Sequence, residues 1–430
     1  MRAPLSNRGL WIVAGLLGLV AAVVVVYAVH KVSSPSSSLD RTAPFVAPPT
    51  TTVPSVRGKK TAVDRFSWPF YGGQATRTRD FTGEASLNPP LRETSSFGGN
   101  ALLEFPATIY GRDLYFLDGG ATAKRVNMRA RGAKKLIWMT HLGKRSASSP
   151  ALDPKRHELF VTVLSTVSKS INSLDGEMAA LSMKNGKVLW TYRLPSGDGS
   201  ESSPIVIGNS VYFGDADGTL RSLNVVNGHE NWARATDGAI KAGPAYADGN
   251  LYFGTYGGTF YAINAKTGAV TWSTSPGGEF YSTPAIAFGR VYVGNNNGDA
   301  YSFVLSNGTE AWSQSVGGYA YSGPAVADLK GLGPTVYIGS YDEDLYALNA
   351  RTGSVEWASS VGSAISGSAT VINNTVYVST VYHPGSYGFN AVTGKQVFSF
   401  DDGSYTTVVA DRKDIYLMGR YVLYKFVPKR

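Results

Sequence analysis

The sequence predicts an all-β protein, an eight-bladed β-propeller of four-stranded antiparallel blades preceded by one transmembrane helix and a disordered tether. A motif ending in Gly-x-x-x-Trp recurs about every 40 to 45 residues, which is the length of one propeller blade. The 430 residues include 49 Gly and 25 Tyr, a composition typical of short strands joined by tight turns. Only 17% are charged, against about 25% in an average protein, which argues against coiled coil and extended disorder.

The N-terminal segment has the length and composition of a membrane span. Residues 10–29 carry no charged side chain, and at 1.5 Å per residue this run is long enough to cross a hydrocarbon core of about 30 Å. We predict a cytoplasmic N-terminus at residues 1–9 and a signal-anchor helix at residues 10–30. A cleaved signal peptide remains the alternative, although the run exceeds the usual length of roughly 7 to 15 residues and no small-x-small cleavage site follows it.

Positive charges flank this span on both sides. Arg2, Arg8 and the terminal amine precede it, whereas Lys31 and Arg41 follow it with Asp40 between them. The basic excess before the span favours a cytoplasmic N-terminus. The predicted location is therefore the plasma membrane, with a single pass and the propeller on the extracytoplasmic side.

Residues 31–65 form a predicted tether that is rich in Pro, Ser and Thr. The segment has too little apolar surface to offset the entropy of ordering it, so we expect it to bury little. Its prolines favour an extended chain of up to about 3.1 Å per residue, which is long enough to hold a folded body tens of ångströms from the bilayer.

Six copies of the repeat motif lie between residues 185 and 398, and each has an aromatic residue four positions after its Gly. A second series, Tyr-x-Gly, runs alongside the first and raises the number of units to eight. We therefore assign residues 66–430 to one propeller. The aromatic residues of the first series are Trp190, Trp232, Trp272, Trp312, Trp357 and Phe398.

A single unit contains four short strands, predicted at residues 282–287, 290–294, 300–305 and 310–315. Asn297 and Gly298 lie between the second and third strands, where a two-residue hairpin requires positive φ. Four antiparallel strands in one unit form the blade of a propeller, in which radial repetition leaves only short sheet edges.

The two ends of the repeat region predict how the ring closes. The last unit ends after its third strand, at residues 421–427, and no Gly-x-x-x-Trp strand follows. Residues 88–94 precede the first inner strand, at a position where an outer strand is expected. We predict that residues 90–97 pair with residues 421–427 and complete the last blade, because an open edge strand invites aggregation.

The repeat is written almost in full at residues 337–339 and 345–357, as Tyr-x-Gly and then Leu-Tyr-Ala-Leu-Asn-Ala-x-Thr-Gly-x-x-x-Trp. It resembles the pyrroloquinoline-quinone (PQQ)-type propeller repeat, which quinoprotein alcohol dehydrogenases share with BamB, an outer-membrane assembly lipoprotein. The resemblance covers residues 66–430. It implies that the recurrent Trp docks one blade on the next, which makes Trp190, Trp232, Trp272, Trp312 and Trp357 structural.

This resemblance implies two functions. Quinoprotein dehydrogenases hold PQQ with a Ca²⁺ ligand set and a catalytic Asp, and they usually carry a vicinal Cys pair. BamB has a lipidated Cys. The present chain has no Cys, so it departs from both patterns and can form neither disulfides nor thiolate zinc sites. We expect a binding or assembly scaffold without a cofactor, and the alternative is a PQQ-dependent oxidoreductase that requires Ca²⁺.

The candidate binding residues lie three positions before the inner-strand Pro, or its equivalent, of each unit. Inner strands line the channel, so residues just before them are expected to ring one mouth of it. This position varies among the units, as binding positions of repeat proteins do. We select Glu201, Lys241, Tyr281, Tyr321 and Tyr405 as candidate partner-binding residues. With Ala147 and Ser366 they make a set of seven, called the rim residues below.

Other polar clusters are more typical of turns than of metal-binding or catalytic sites. Asp215 and Asp217, like Asp342 and Asp344, coincide with the second hairpin of a blade, where acidic residues are common. The five His residues show no metal-ligand spacing. No catalytic residue and no metal site is predicted.

Residues 124–156 contain ten basic residues and a single acidic one, Asp153. Such a segment is either a solvated blade edge or a surface that gathers anionic polymers or lipid headgroups. Nucleic acid is not an expected partner outside the membrane. We expect a monomeric propeller whose partner is an envelope protein or a cell-wall polymer.

Overall fold

The computed structural model describes residues 44–46, 66–83, 87–99, 101–166, 175–195, 199–406 and 408–429. All of them lie in one compact unit, Asp40–Arg430. The predicted N-terminus and transmembrane helix, residues 1–30, lie outside the described residues, as does most of the tether. Among the residues described, no helix is long and apolar enough to span a bilayer.

Within the described ranges the chain forms 34 strands and one short 3₁₀ helix, Gly132–Lys135. Three strands precede the repeat, namely β1 (Ser67–Trp68), β2 (Asp80–Phe81) and β3 (Leu91–Gly98). Blades 1 and 2 contain β4 (Thr108–Tyr110), β5 (Asp113–Leu117), β6 (Thr122–Val126), β7 (Leu136–His141), β8 (Ala151–Asp153), β9 (Glu158–Val163), β10 (Glu177–Ser182) and β11 (Val188–Arg193). Blades 3 and 4 contain β12 (Ile205–Ile207), β13 (Ser210–Gly214), β14 (Thr219–Asn224), β15 (Glu230–Ala235), β16 (Ala245–Ala247), β17 (Asn250–Gly254), β18 (Phe260–Asn264) and β19 (Val270–Thr274).

The remaining blades continue in chain order. Blades 5 and 6 contain β20 (Ala285–Ala287), β21 (Arg290–Gly294), β22 (Asp299–Val304), β23 (Glu310–Ser315), β24 (Ala325–Leu329), β25 (Gly333–Gly339), β26 (Asp344–Asn349) and β27 (Val355–Ser360). Blade 7 contains β28 (Thr370–Ile372), β29 (Thr375–Ser379), β30 (Ser386–Asn390) and β31 (Gln396–Phe400). Blade 8 contains β32 (Val408–Ala410), β33 (Ile415–Met418) and β34 (Val422–Pro428).

These strands form eight sheets, each with a four-stranded antiparallel blade, which confirms the predicted eight-bladed, all-β fold. In blades 1 to 7 the strands follow chain order from the channel outwards. Blade 8 takes its fourth strand from β3, which pairs with β34 in the register Arg92 with Val427 and Phe97 with Leu423. The predicted closure of the ring is therefore confirmed.

A Trp on the outer strand docks each of blades 1 to 6 on the next blade. Each indole N–H donates to a carbonyl in the last turn of that next blade, at 2.8–3.1 Å. Trp138, in blade 1, was missed because the 3₁₀ helix lengthens the turn before it and breaks the motif. In blade 7, Phe398 takes the position and packs on Phe426 of blade 8 at 5.7 Å between ring centroids. The docking residues are Trp138, Trp190, Trp232, Trp272, Trp312 and Trp357.

The Gly of the motif is required at each of these junctions. Gly308 has a φ of +74°, a left-handed conformation that side chains disfavour. A Cβ at this position would lie 2.4 Å from Cε3 of Trp272 in the preceding blade. Each copy of the motif therefore contributes to two junctions. Its Gly packs against the Trp of the preceding blade, and its own Trp packs against the Gly of the following blade.

Residues 66–83 run through the central channel, which the sequence analysis did not predict. Strand β1 pairs with β4 of blade 1, and β2 pairs in parallel with β28 of blade 7. Between them, the carbonyls of Pro69, Ala75, Thr76 and Thr78 accept hydrogen bonds from inner-strand amides of blades 2, 4, 5 and 6. The segment therefore joins the blades from inside the ring.

Two arginines of this channel segment are fully buried. The Arg77 guanidinium donates to the carbonyls of Tyr71, Ser203 and Pro244 at 2.5–3.0 Å, so it bridges the segment to blades 3 and 4. Burial and then the charge of Arg79 lower the pKa of Arg77 to about 9. The Arg79 guanidinium lies 4.7 Å from the centre of the Tyr71 ring.

Blade 1 meets blade 8 through an ion-pair cluster. Arg129 Nη2 lies 2.7 Å from Asp411, and its Nε lies 2.7 Å from Asp414, both in the first hairpin of blade 8. The Lys135 ammonium donates to the carbonyl of Ser96 on β3 at 2.6 Å. Several of the basic residues between positions 124 and 156 are thus engaged in internal contacts, because Lys124, Arg125 and Arg156 also pair with Asp side chains.

Residues 44–46 of the predicted tether lie against blades 5 and 6. The Phe45 ring stacks on Phe288 at 5.1 Å between centroids, and the amide of Val46 donates to the Phe288 carbonyl at 3.1 Å. The guanidinium of Arg351 lies 4.3 Å from the centre of the Phe45 ring. Of these three residues Phe45 is partly buried, whereas Pro44 and Val46 are exposed.

Candidate functional site

Strand direction divides the turns of the ring between two faces. Because strands alternate within each blade, the turns between the second and third strands lie on the same face as the links from one blade to the next. We call this the mouth face. The first and third turns of every blade lie on the opposite face, where Phe288 and Arg351 hold residues 44–46.

The structure brings all seven rim residues to one cavity on the mouth face, of about 230 Å³. Tyr71, from the channel segment, also lines this cavity, together with the small residues Ser203, Gly243 and Thr283 that lie two positions after a rim residue. The predicted convergence of these side chains is therefore observed. The rim residues in the lining are Ala147, Glu201, Lys241, Tyr281, Tyr321, Ser366 and Tyr405.

Buried hydroxyl groups fix the backbone beneath the rim. The residue after a rim residue is often Ser, and its hydroxyl donates to the corresponding carbonyl of the next blade. Ser202 donates to Ala242 at 2.9 Å, Ser282 to Ser322 at 3.0 Å, and Ser322 in turn to Gly367 at 3.1 Å. Each rim side chain is therefore held at a defined distance from its neighbour in the ring.

Glu201 and Lys241 form the charged part of the rim. The Lys241 ammonium lies 3.3 Å from Glu201 Oε2, and it also lies 5.0 Å and 5.7 Å from the ring centres of Tyr256 and Tyr281. A cation held against aromatic faces can accept either an anionic or an aromatic group from a ligand. Burial and then the charge of Glu201 raise the pKa of Glu104, a further carboxyl at this cavity.

Six tyrosines make a continuous aromatic surface beside this pair, called the tyrosine arc below. Tyr281 and Tyr321 lie 5.1 Å apart between ring centroids, and Tyr321 lies equally close to Tyr341. The outermost ring, that of Tyr382, is 69% exposed. Aromatic pairs at these separations restrain one another, so the arc is a preorganised surface. Its members are Tyr256, Tyr281, Tyr319, Tyr321, Tyr341 and Tyr382.

Burial makes these phenols weaker acids than free tyrosine. It raises the pKa of Tyr341 to about 12, and it raises the pKa values of Tyr256 and Tyr281 further, with neighbouring phenols and Glu201 adding to the effect. The hydroxyl groups therefore remain neutral hydrogen-bond donors well above physiological pH.

Tyr405 completes the rim in an unusual backbone conformation. Its φ is +62°, in the left-handed region that a bulky residue rarely adopts, and its side chain is 40% exposed. Strained residues of this kind cluster at binding sites, because the surrounding structure must hold them there.

The sequence analysis missed Tyr256, Tyr341 and Tyr382 because it followed only the links between blades. These residues follow second strands, and their long side chains reach the rim, as the contact of Tyr341 with Tyr321 shows. A search for aromatic residues two or three positions after the second strand of each unit would have found them.

The mouth does not fit a quinone held by calcium. Across the described ranges, no group of three or more His, Asp or Glu side chains is placed to hold a metal ion. At the mouth, Glu201 is paired with Lys241, and burial disfavours the charged form of Glu104 that a cation would need. Asp215 and Asp342 accept hydrogen bonds within their own turns, from Thr219 and Asp344 respectively.

Comparison with known proteins relates most of the repeat region to one family. A family model described as outer membrane protein assembly factor BamB matches residues 130–241 and 234–424. No curated protein sequence matches the chain. The likeness confirms the PQQ-type repeat that the sequence predicted.

Solved structures share the fold at low sequence identity. BamB from Moraxella catarrhalis is 17% identical, with a TM-score of 0.66 over 80% of this chain and 99% of that one. A europium-containing methanol dehydrogenase is 12% identical, with a TM-score of 0.70 over 84% and 98%. Quinohemoprotein alcohol dehydrogenase from Comamonas testosteroni is 12% identical, with a TM-score of 0.66 over 85% and 81%.

Proposed function

The chain belongs to the family described as outer membrane protein assembly factor BamB, and we propose that it is a membrane-anchored, extracytoplasmic propeller that binds an envelope protein at its mouth face. In this proposal the propeller is a non-catalytic scaffold, and it needs no cofactor. The anchor is the apolar segment at residues 10–30, and residues 31–65 are the tether.

The tyrosine arc and the charged pair beside it carry this proposal. Tyr supplies a large contact area at a low entropic cost, and it is enriched among the residues that dominate protein interfaces. The arc contributes nothing to the Trp docking that holds the blades together, and Tyr319 and Tyr382 are 40% and 69% exposed. A partly exposed aromatic surface that lies outside the Trp docking contacts supports a role in binding.

The test replaces Glu201, Lys241, Tyr281 and Tyr321 with Ala in the full-length chain. A photo-cross-linking amino acid at position 382 reports binding in intact cells, because this side chain stands at the exposed end of the arc. We expect one cross-linked envelope protein with the otherwise native chain and at least a tenfold loss with the quadruple variant, at an unchanged thermal midpoint.

A matched control carries four Ala substitutions at exposed positions of the opposite face, Val226, Lys266, Asn374 and Lys395. It should retain the cross-link. Equal cross-linking by both variants would contradict the proposal. So would dye reduction by the purified chain that depends on added PQQ and Ca²⁺ and is lost in the quadruple variant, since that result would favour the oxidoreductase.

A further inference from the structure

The crevice between blades 5 and 6 is a peptide-binding site that the chain itself occupies. Residues 44–46 lie in it, and the Phe45 ring contacts both the Phe288 ring and the guanidinium of Arg351. The Arg290 guanidinium joins blade 6 and the bound segment, because it donates to the carbonyl of Arg351 at 2.7 Å and to that of Pro44 at 3.3 Å. An aromatic side chain and a nearby backbone carbonyl are therefore what this crevice recognises.

Repetition places a corresponding crevice between blades 1 and 2, and there the structure has a cavity of about 910 Å³. It is bounded by the first turn of blade 1, at Tyr110 and Gly111, and by the last turn of blade 2, at Met183 and Lys184. In the repeat, Met183 and Lys184 correspond to Ala350 and Arg351. The cavity therefore lies at the position between blades 1 and 2 that Phe45 occupies between blades 5 and 6.

Arg125 reproduces the position of the Arg290 guanidinium from a different strand. Its Nη1 donates to the carbonyls of Met183 and Lys184 at 3.0 and 3.2 Å. Arg290 makes the same pair of contacts, to the carbonyls of Ala350 and Arg351. Arg125 lies on β6 and Arg290 on β21, yet both guanidinium groups bind the same pair of carbonyls in the last turn of the next blade. This indicates that the two sites share their chemistry.

The open crevice differs from the occupied one in two ways that favour an external ligand. Gly111 stands where Phe288 stands, so there is space for a larger ring. Four cationic side chains and two acidic ones, those of Asp113 and Glu158, line the cavity, so a segment with a carboxylate near its aromatic residue is favoured electrostatically. Arg112 and Lys184 carry this surplus, because Arg125 and Arg156 pair with Asp113 and Asp153.

We propose that the crevice between blades 1 and 2 binds an extended segment of a partner protein through an aromatic side chain, as the crevice between blades 5 and 6 binds Phe45. This site lies on the opposite face from the mouth. It is independent of the tyrosine arc, so either proposal can fail alone.

The test uses the full-length chain in detergent and a fluorescent peptide with the sequence of residues 43–49, which contains Pro, Phe and Val in the order that the structure describes. Anisotropy should report one peptide per chain, and a peptide with Ala in place of Phe should bind at least tenfold more weakly. The chain's own Phe45 should stay bound, because a tethered segment has a millimolar effective concentration.

Three variants locate the binding. Lys184→Glu removes the cation at the open crevice and should weaken the peptide at least fivefold. Lys266→Glu is the matched control, because Lys266 is the corresponding residue in the crevice between blades 3 and 4, whose lining has no arginine. Phe45→Ala should raise the stoichiometry to two peptides per chain by vacating the second crevice.

Three results would overturn the proposal. The first is no peptide binding to the native chain, and the second is equal weakening by Lys184→Glu and Lys266→Glu. The third is a dimer that Phe45→Ala dissociates, measured by mass photometry, because the crevice would then hold the tether of a second copy instead of a partner.

Discussion

The junctions inside the ring and the seam that closes it are built from different parts of the sequence. In blades 1 to 6 a Trp of the outer strand docks on the last turn of the following blade, and in blade 7 Phe398 packs on Phe426 of β34. Where blade 8 meets blade 1, Arg129 pairs with Asp411 and Asp414, and β3 supplies a strand from before the repeat.

A repeated motif encodes contacts between consecutive units, and it cannot encode the contact of the last unit with the first. The ring therefore depends at its seam on residues that the motif does not contain. Residues 66–83 provide a second set of contacts outside the motif, since they bond to the inner strands of blades 1, 2, 4, 5, 6 and 7.

The largest expected effect comes from deleting residues 1–99. This removes the closing strand β3 and the whole channel segment, including the buried Arg77 and Arg79. We expect loss of the cooperative urea transition and of near-ultraviolet circular dichroism, because blade 8 keeps an open edge and the channel loses its filling.

A chain that begins at residue 44 is the control, and it should unfold in a single transition like the full-length chain. A cooperative transition of normal midpoint in the chain that lacks residues 1–99 would show that the repeat closes the ring unaided. The distinction between junctions and seam would then be lost.

A smaller effect is expected inside the ring, from Trp272→Ala. This side chain is 9% exposed, and its indole donates to the Leu305 carbonyl at 3.0 Å. Its removal should lower the free energy of unfolding by about 3 to 5 kcal/mol, as for other large aromatic residues. Val270→Ala, at an exposed position of the same strand, should change it by less than about 0.5 kcal/mol. Urea unfolding measures both, and similar values for the two would contradict the docking role.

The smallest effect is expected at the seam, from Arg129→Ala. The Asp411 side chain is 2% exposed, so removal of its cation leaves a buried carboxylate without its ion pair. We expect the free energy of unfolding to fall by about 3 kcal/mol. This value reflects the cost of leaving a charge unpaired more than the stabilisation that the ion pair provides. Arg131→Ala, at an exposed position nearby, is the control. If Arg129→Ala costs no more than the control, the seam is held by β3 alone.

Much of the architecture could be predicted because it follows from short-range regularities. Turn residues such as Asn297 and Gly298 mark strand ends, and the spacing of the Trp residues counts the blades. The pairing of Phe97 with Leu423 followed from a unit that lacked its last strand. The convergence of the rim residues, from Glu201 to Tyr405, followed from the geometry of inner strands around a channel. Their role in binding stays a prediction.

The parts that could not be predicted depend on side chains that meet across long stretches of chain. Tyr341 reaches Tyr321 from the turn after a second strand, outside the links between blades that carry the rim residues. Phe45 lies in a segment whose composition indicates disorder, and only the crevice formed by Phe288 and Arg351 orders it. No local pattern marks either contact.

The sequence by itself determined the number of blades, the strand that closes the ring and the positions around the mouth, because each follows from alternation, turn chemistry or the repeat. Only the tertiary structure decided that residues 66–83 fill the channel, that six tyrosines form one surface, and that one crevice holds Phe45 while its counterpart beside Arg125 is open. The physical reason is that burial and close contact select partners by shape and charge in three dimensions, whereas the repeat specifies only the backbone that carries them.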